Sequence, residues 1–271
     1  MSEPTSDSLR VAAITGAAGA LGSAFTRCLA EDGYRVYMLV RDADKADAQI
    51  DELRADGLDV RRVDCDVLDE TRMRAAAAEV LADAGHCDVL VNCAGGNQPG
   101  ATVMPEGSVF DLSPEALRTV IDLNLMGTVL PTLAFARPMS ERGRGCVVNM
   151  SSMAATQPLT RVIGYSAAKA AVDNFTRWMA VELAGKYGEG LRVNAIAPGF
   201  FIGEQNRDLL FEPDGSLTAR GRTIISQTPA GRFGRPEELL STLRFLCDPA
   251  SSFVTGIVIP VDGGFSAFSG V

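Results

Sequence analysis

The sequence predicts an α/β protein built on a single doubly wound parallel sheet of about seven strands, with helices on both faces. Seven short apolar runs alternate with amphipathic stretches along the chain. Most of the runs are rich in β-branched residues and nearly continuous in apolarity, which is typical of parallel strands covered on both faces. Strands that alternate with helices indicate crossover connections, and therefore a parallel sheet.

The seven strand candidates, in chain order, are RVAAITG, YRVYMLV, VRRVDCDV, CDVLVNCAG, GCVVNMSS, LRVNAIAPG and GIVIPVDGG. Helical stretches such as LGSAFTRCLAEDG and ETRMRAAAAEVLADAG separate them, and each ends in a glycine that can cap a helix. An irregular polar region, residues 200–236, follows the sixth candidate at the sheet edge where such folds bind ligands. We predict that this region forms a lid over the binding site.

Composition argues against several classes of function. The formal net charge of −9 disfavours a nucleic-acid-binding surface, and no apolar run approaches membrane-spanning length. The six cysteines lack CxxC spacing, so neither a disulfide framework nor a metal site is expected. The single histidine, His86, is expected to be structural. The N-terminal segment lacks the apolar core of a signal peptide, which predicts a flexible tail over residues 1–9 and a cytoplasmic protein.

A loop of small residues, TGAAGALGSAF, joins the first strand candidate to a helix. Small residues permit a tight turn and let backbone N–H groups approach a pyrophosphate at the helix N-terminus. Gly16 and Gly19 are the candidate contacts, and no Gly-Lys-Ser/Thr follows that would indicate a P-loop. Residues 10–271 are therefore predicted to form one Rossmann-type dinucleotide-binding catalytic domain.

The end of the second strand bears on the choice between NAD and NADP. An NAD site would have an acid there to hold the ribose 2′-hydroxyl, but Val40 occupies that place and Arg41 follows. A guanidinium suits a 2′-phosphate, so the sequence favours NADP. NAD stays open, because Asp42 would reverse the preference if the loop turned it inward. A solvated charge pair is the remaining alternative.

A tyrosine and a lysine stand four residues apart in the stretch GYSAAKAAVDNF, at Tyr165 and Lys169. In a helix this spacing puts both side chains on one face, and the small residues around them let other backbone approach closely. A pair of ordinary surface residues is the alternative, and this stretch alone does not exclude it.

Five motifs in one order, TGAAGALG, NCAG, NMSS, YSAAK and NAIAPG, resemble the short-chain dehydrogenase/reductase family. The resemblance extends from about Arg10 to the VDGG segment ending at Gly264. It implies NAD(P)-dependent hydride transfer between a hydroxyl and a carbonyl group. Two positions depart from the usual pattern, Ala20 in the glycine loop and Cys93 in NCAG, and neither removes a reactive group.

The resemblance also implies a role for each matching residue. Tyr165 would be the catalytic acid/base, Lys169 its partner, Ser152 the group that orients the substrate, and Asn124 the holder of a water in a proton relay. Lys169 and a nicotinamide cation are expected to lower the pKa of the tyrosine from about 10. The candidate cofactor contacts are Gly16, Gly19, Leu21, Gly22, Arg41, Asp66, Val67, Asn92, Ala94, Tyr165, Lys169, Pro198 and Gly199.

Several segments, among them AGGNQPGATV and PGFFIGEQNRDLLFEPDGSLT, resemble the family branch of D-mannonate oxidoreductases, also called fructuronate reductases. This resemblance implies reversible reduction of D-fructuronate, a small polar substrate, and a homotetramer packed through the helix of Tyr165 and the C-terminal strand. The alternatives are another polyol, gluconate or 3-oxoacyl substrate, or a catalytically silent dinucleotide sensor. The candidate substrate contacts are Asn97, Gln98, Gln205, Asn206 and Arg207, and Arg220 also lies in the predicted lid.

Overall fold

Seven parallel strands form one sheet in the part of the chain that the computed structural model describes, residues 9–203 and 207–270. The order across the sheet is β3-β2-β1-β4-β5-β6-β7. Every predicted strand is present, which confirms the doubly wound parallel sheet. The bounds are β1 Arg10–Thr15, β2 Tyr34–Val40, β3 Val60–Asp64, β4 Val89–Asn92, β5 Gly145–Met150, β6 Leu191–Pro198 and β7 Val258–Val261.

Helices cover both faces of the sheet, as the alternating pattern predicts. Within the described residues they are α1 Ala20–Glu31, α2 Ala43–Ala55, α3 Glu70–Ala84, α4 Pro114–Ile121, α5 Gly127–Arg142, α6 Ile163–Tyr187, α7 Arg207–Leu210, α8 Ala219–Ser226 and α9 Leu240–Cys247. The predicted N-terminal tail, apart from Leu9, lies outside the described residues.

Each face of the sheet has its own apolar core, because side chains alternate between the two faces along a strand. In β1, Ala12 and Ile14 pack with α1, α2 and α9, while Val11 and Ala13 pack with α3, α5 and α6. Nearly continuous apolarity along β1 is the consequence of this double coverage. The sheet is thereby fixed between two layers, and its carboxyl edge is left for ligands.

The strand order reverses between β1 and β4, which are adjacent although two strands separate them in sequence. Chain segments that leave these two strands diverge to opposite sides and open a crevice at their carboxyl ends. Ligands of doubly wound folds bind at such a switch point. The glycine loop follows β1, and the NCAG segment begins in β4, so both predicted cofactor segments lie at this crevice.

A π-helical segment, Asp122–Met126, joins α4 to α5 into one helical stretch, Pro114–Arg142. By length and composition, this stretch is apolar enough to cross a membrane, so the prediction that no run approaches that length is wrong. The finding is weak evidence for a span, because core helices of soluble proteins pass the same test. Here α5 buries Phe135 and Met139 in the core under the sheet.

Residues 200–236, which we call the 200–236 segment, contain α7, α8 and a small core of their own. Leu210, Ile224 and Phe233 form this core. Isolated bridges join Phe201 to Gly234 and Phe211 to Leu217, so the described part of the segment folds back on itself. The role of the segment as a lid stays a prediction.

Candidate active site

A row of polar side chains crosses the carboxyl edge of the sheet. Thr15, Asn92 and Asn149 are in register on β1, β4 and β5. Asn92 Nδ2 donates to Asn149 Oδ1 at 2.8 Å, and Thr15 Oγ1 accepts from the N–H groups of Cys93 and Ala94, each at 3.1 Å. All three side chains in the row are buried. The row fixes the backbone that follows β4, so Asn92 and Ala94 support the crevice from below.

The glycine loop wraps closely around the start of α1. Gly16 has a φ of +61°, and a Cβ there would lie 2.8 Å from Ala94 backbone atoms. A Cβ on Gly22 would lie 2.3 Å from the Gly16 carbonyl oxygen. Gly19 is the N-cap of α1 and supplies no side-chain cap, so the N–H groups of the first turn, which includes Leu21, have no side-chain acceptor.

These features fit the pyrophosphate of a dinucleotide. Uncapped N–H groups at a helix N-terminus attract anions, and the absence of side chains lets phosphate oxygens come close. Two other predicted contacts lie farther along the same carboxyl edge of the sheet. Pro198 ends β6, and the Gly199 N–H donates to the Val261 carbonyl at 2.9 Å. A Cβ on Gly199 would lie 2.7 Å from the Cα of Asp262.

Arg41 and Asp42, the charged residues that follow β2, have different contacts. The side chain of Arg41 is 80% exposed, and its guanidinium lies 3.9 Å from the Asp66 carboxylate. Asp42 caps α2 by accepting from the Lys45 N–H at 3.3 Å, so its carboxylate serves its own helix. Asp66 also accepts from the Leu68 N–H, and Val67 beside it is buried.

Three consecutive residues, the last of β5 and the two that follow it, contact three side chains of α6. The Met150 carbonyl accepts from Lys169 Nζ at 2.7 Å, and the Ser151 hydroxyl donates to the Asp173 carboxylate. Ser152 is hydrogen-bonded to Tyr165. Three of the four predicted catalytic residues, Ser152, Tyr165 and Lys169, therefore lie together in one cluster.

Burial dominates the electrostatics of this cluster. It lowers the pKa of Lys169, which is 3% exposed, to about 8. Burial also raises the pKa of Tyr165, although the hydrogen bond to Ser152 acts in the opposite direction. In the protein alone the pKa of Tyr165 is therefore raised, because removal of the hydroxyl from water penalises the phenolate. The expectation that Lys169 and a nicotinamide cation together lower this pKa stays a prediction. The Lys169 ammonium lies 5.5 Å from the Tyr165 ring centroid.

Asn124 sits in the π-helical segment and is buried. Its amide donates to the carbonyls of Gly96 and Val120 at 2.7 and 2.8 Å, and its Oδ1 accepts from the Gly96 N–H at 3.1 Å. A Cβ on Gly95 would meet both Asn124 Oδ1 and Lys169 Nζ, at 2.7 and 3.3 Å, so both groups border the same glycine. Such π-helical bulges are frequent at functional sites.

The predicted substrate contacts that the structure describes have separate partners. The Asn97 amide donates to Thr102 Oγ1 at 2.8 Å, and the Gln98 amide donates to the Ala116 carbonyl at 3.0 Å. Arg207 is exposed and lies over the Phe211 ring. Gln205 and Asn206 lie outside the described residues. The substrate roles of these five residues stay predictions.

Sequence reasoning missed two residues of the site region. Asp173 is buried one helical turn after Lys169, where a carboxylate within an otherwise apolar helix face was the available signal. Arg161 has a φ of +77°, which its place between Thr160 and Val162 does not indicate. Across residues 9–203 and 207–270, no group of three or more His, Cys, Asp or Glu side chains could hold a metal ion.

The chain is similar to known oxidoreductases over nearly its whole length. A family model described as enoyl-(acyl carrier protein) reductase matches residues 16–266. An uncharacterized oxidoreductase of Bacillus subtilis, UxuB, is 45% identical, with 97% of this chain and 96% of the relative covered.

Solved structures give the same result. A proposed D-mannonate oxidoreductase from Haemophilus influenza, with bound NAD, has a TM-score of 0.90 and 40% identity, covering 97% of this chain and 96% of that one. A gluconate 5-dehydrogenase from Burkholderia cenocepacia, in complex with NADP and tartrate, has a TM-score of 0.83 and 31% identity, covering 95% of each chain. The chain therefore belongs to the short-chain dehydrogenase/reductase family and is an NAD(P)-using oxidoreductase that acts on a CH–OH group.

Proposed function

We propose that the protein interconverts D-fructuronate and D-mannonate by reversible reduction of the keto group. The observation that carries the proposal is the Ser152–Tyr165–Lys169 cluster at the carboxyl edge of the sheet, together with a 200–236 segment that supplies arginines such as Arg220. A long acyl chain would need an apolar groove. The Haemophilus relative, described as a proposed D-mannonate oxidoreductase, supports the same substrate.

The side chains account for the proton that the reaction consumes. When bound, the nicotinamide cofactor supplies or accepts the hydride. In the reductive direction, Tyr165 donates its phenolic proton to the carbonyl oxygen, which Ser152 holds by a hydrogen bond. The raised pKa of Tyr165 keeps this proton in place at neutral pH. The Lys169 ammonium then stabilises the phenolate, and Asn124, next to the same Gly95, extends the polar route along which the proton is replaced.

The proposed cofactor is NADP, with NAD as the alternative. Arg41 is free to approach a 2′-phosphate because its side chain is largely exposed and its ion pair with Asp66 is long. Asp42, the residue that would favour NAD, is engaged as the cap of α2. The relatives differ, since the Haemophilus structure holds NAD and the Burkholderia structure holds NADP.

The proposed assembly is a homotetramer in the cytoplasm. Trp178 and Val181 expose apolar surface on α6, and Phe253 and Ile257 do so next to β7. These are the two surfaces through which the family resemblance implies packing. Light scattering coupled to size-exclusion chromatography measures the assembly, and a monomer would contradict it.

The test is a nicotinamide-absorbance assay of the purified protein with D-fructuronate, using NADPH and NADH in parallel. Turnover that is lost in a Tyr165→Phe variant supports the proposal. A panel of D-gluconate, galactitol and a 3-oxoacyl thioester examines the alternatives. Cofactor binding without turnover of D-fructuronate, together with turnover of a panel member, would replace the substrate and keep the enzyme class. Binding without any turnover would favour a silent sensor.

A further inference from the structure

Two arginines, Arg161 just before α6 and Arg220 on α8, lie near each other without an acidic partner. Arg220, on α8, donates from Nη1 to Thr160 Oγ1 at 3.2 Å, and Arg161 is the next residue after Thr160. Within residues 9–203 and 207–270, neither guanidinium forms an ion pair. Burial and the charge of Arg161 both lower the pKa of Arg220. Two like charges in partly desolvated surroundings repel each other, and a bound anion would offset this repulsion.

Three segments of the chain meet at Arg161 and its neighbour Thr160. Its carbonyl accepts from the Val103 N–H at 3.0 Å, which ties it to the loop after β4. It lies in the loop between Ser152 and Tyr165, and through Thr160 it reaches α8 of the 200–236 segment. A ligand held here would therefore lie at the loop that joins Ser152 to α6, the helix of Tyr165.

The backbone at Arg161 is strained. Among the residues that the structure describes, Arg161 is the single non-glycine residue with a positive φ, at +77°. A left-handed conformation is unfavourable for a side chain such as arginine, and strain of this kind gathers at ligand-binding sites. The strained backbone therefore marks Arg161 as a candidate ligand contact.

We propose that Arg161 and Arg220 form a subsite for the carboxylate of a polyhydroxy acid, anchoring the end of the substrate away from the reacting carbonyl. The subsite rests on the proposed function, which it deepens by naming the recognised group. Two guanidiniums present several N–H donors in planar arrays, and this geometry suits bidentate hydrogen bonds to the oxygens of a carboxylate. Bound carboxylate would also compensate the repulsion between the two cations, and a neutral ketose or polyol would not.

The experiment compares Arg161→Gln and Arg220→Gln with Arg222→Gln. Arg222 is the matched control because it lies on the same helix and donates to the Leu217 carbonyl. We expect either subsite variant to lower kcat/KM for D-fructuronate by about 10- to 100-fold, chiefly through KM, since a charged hydrogen-bond partner is lost. Arg222→Gln should stay close to wild type. Arg220→Lys keeps the positive charge but loses the planar set of N–H donors. Its kcat/KM should therefore lie between those of wild type and Arg220→Gln.

Calorimetric binding gives a readout that does not depend on the identity of the substrate. Tartrate and threitol have the same four-carbon chain and differ in whether the ends are carboxylates or hydroxymethyl groups. With oxidised cofactor present, the wild-type protein should bind tartrate more tightly than threitol, and each subsite variant should lose that difference. Thermal melting adds a structural control, because removal of one of two repelling cations should leave the melting temperature unchanged or raise it.

The outcomes separate the subsite from the overall function. Turnover of D-fructuronate with equal kcat/KM in wild type and both variants would overturn the subsite and leave the function intact. Absence of D-fructuronate turnover, with tartrate binding that depends on both arginines, would overturn the function and keep the subsite. A wild-type protein that binds tartrate no better than threitol would overturn the subsite. If Arg161→Gln fails to fold, Arg220→Gln and Arg220→Lys decide the question.

Discussion

Lys169 should destabilise the folded protein at neutral pH, and this cost should fade as the pH rises. The side chain is buried, and its single described hydrogen-bond acceptor is the Met150 carbonyl. Burial lowers its pKa although Cys93 and Asp173 both act to raise it. Replacement by methionine, which has a similar shape and no charge, removes the cost of holding a buried ammonium.

The magnitude follows from the pKa. A fall from 10.5 to about 8 corresponds to about 3 kcal/mol at pH values below the folded pKa, since each pKa unit is about 1.4 kcal/mol. Above pH 8 the folded chain releases the proton while the unfolded chain keeps it until about pH 10.5, so the cost declines across this window. Between about pH 7 and about pH 9 it should fall by about 1 kcal/mol.

The assay is denaturant unfolding of wild type and Lys169→Met at both pH values and at one protein concentration. The stability difference between the two proteins should shift by about 1 kcal/mol in favour of wild type as the pH rises. Loss of the hydrogen bond to Met150 affects the difference equally at both pH values, so it does not disturb the comparison.

Lys186→Met is the matched control, because Lys186 is exposed on the same helix and pairs with Glu182. Its stability difference from wild type should be the same at both pH values. If the Lys169→Met difference is equally constant, Lys169 titrates as an ordinary lysine and the argument from burial fails.

Two further predictions concern the cofactor. Gly22→Ala should weaken cofactor binding by at least about tenfold, because its Cβ would lie 2.3 Å from the Gly16 carbonyl oxygen and displace the start of α1. Gly185→Ala, in the open interior of α6, should instead stabilise the protein by about 0.5–1 kcal/mol, and calorimetric titration should find unchanged cofactor affinity. Arg41→Ala should raise KM for NADPH about 10-fold and leave KM for NADH nearly unchanged. An equal effect on both cofactors would remove Arg41 from 2′-phosphate recognition.

The sequence predicts those parts of the molecule that depend on local patterns. The seven strands follow from apolar runs such as the one around Ile14, which both cores require. The pairing of Tyr165 with Lys169 follows from helical spacing, and the position of the glycine loop follows from the strand before it. These features need no knowledge of which distant residues meet.

Features set by distant contacts were not predicted. The π-helical geometry at Asn124 depends on hydrogen bonds to Gly96, a residue on another segment. The buried partnership of Asp173 with Ser151 and the approach of Arg220 to the loop of Arg161 depend in the same way on tertiary packing. The effect of burial on the pKa of Tyr165 was not predicted for a related reason, since burial is a property of the whole fold.

The most direct test of the central claim is the rate of hydride transfer in Tyr165→Phe, measured under single-turnover conditions with whichever substrate the panel identifies. Loss of the phenolic proton donor should lower the rate by about 10²- to 10⁴-fold. The melting temperature should change little, because phenylalanine keeps the ring and the Ser152 hydroxyl still accepts from the Ala154 N–H at 3.1 Å. A variant that transfers hydride at the wild-type rate would contradict the assignment of Tyr165 as the acid/base.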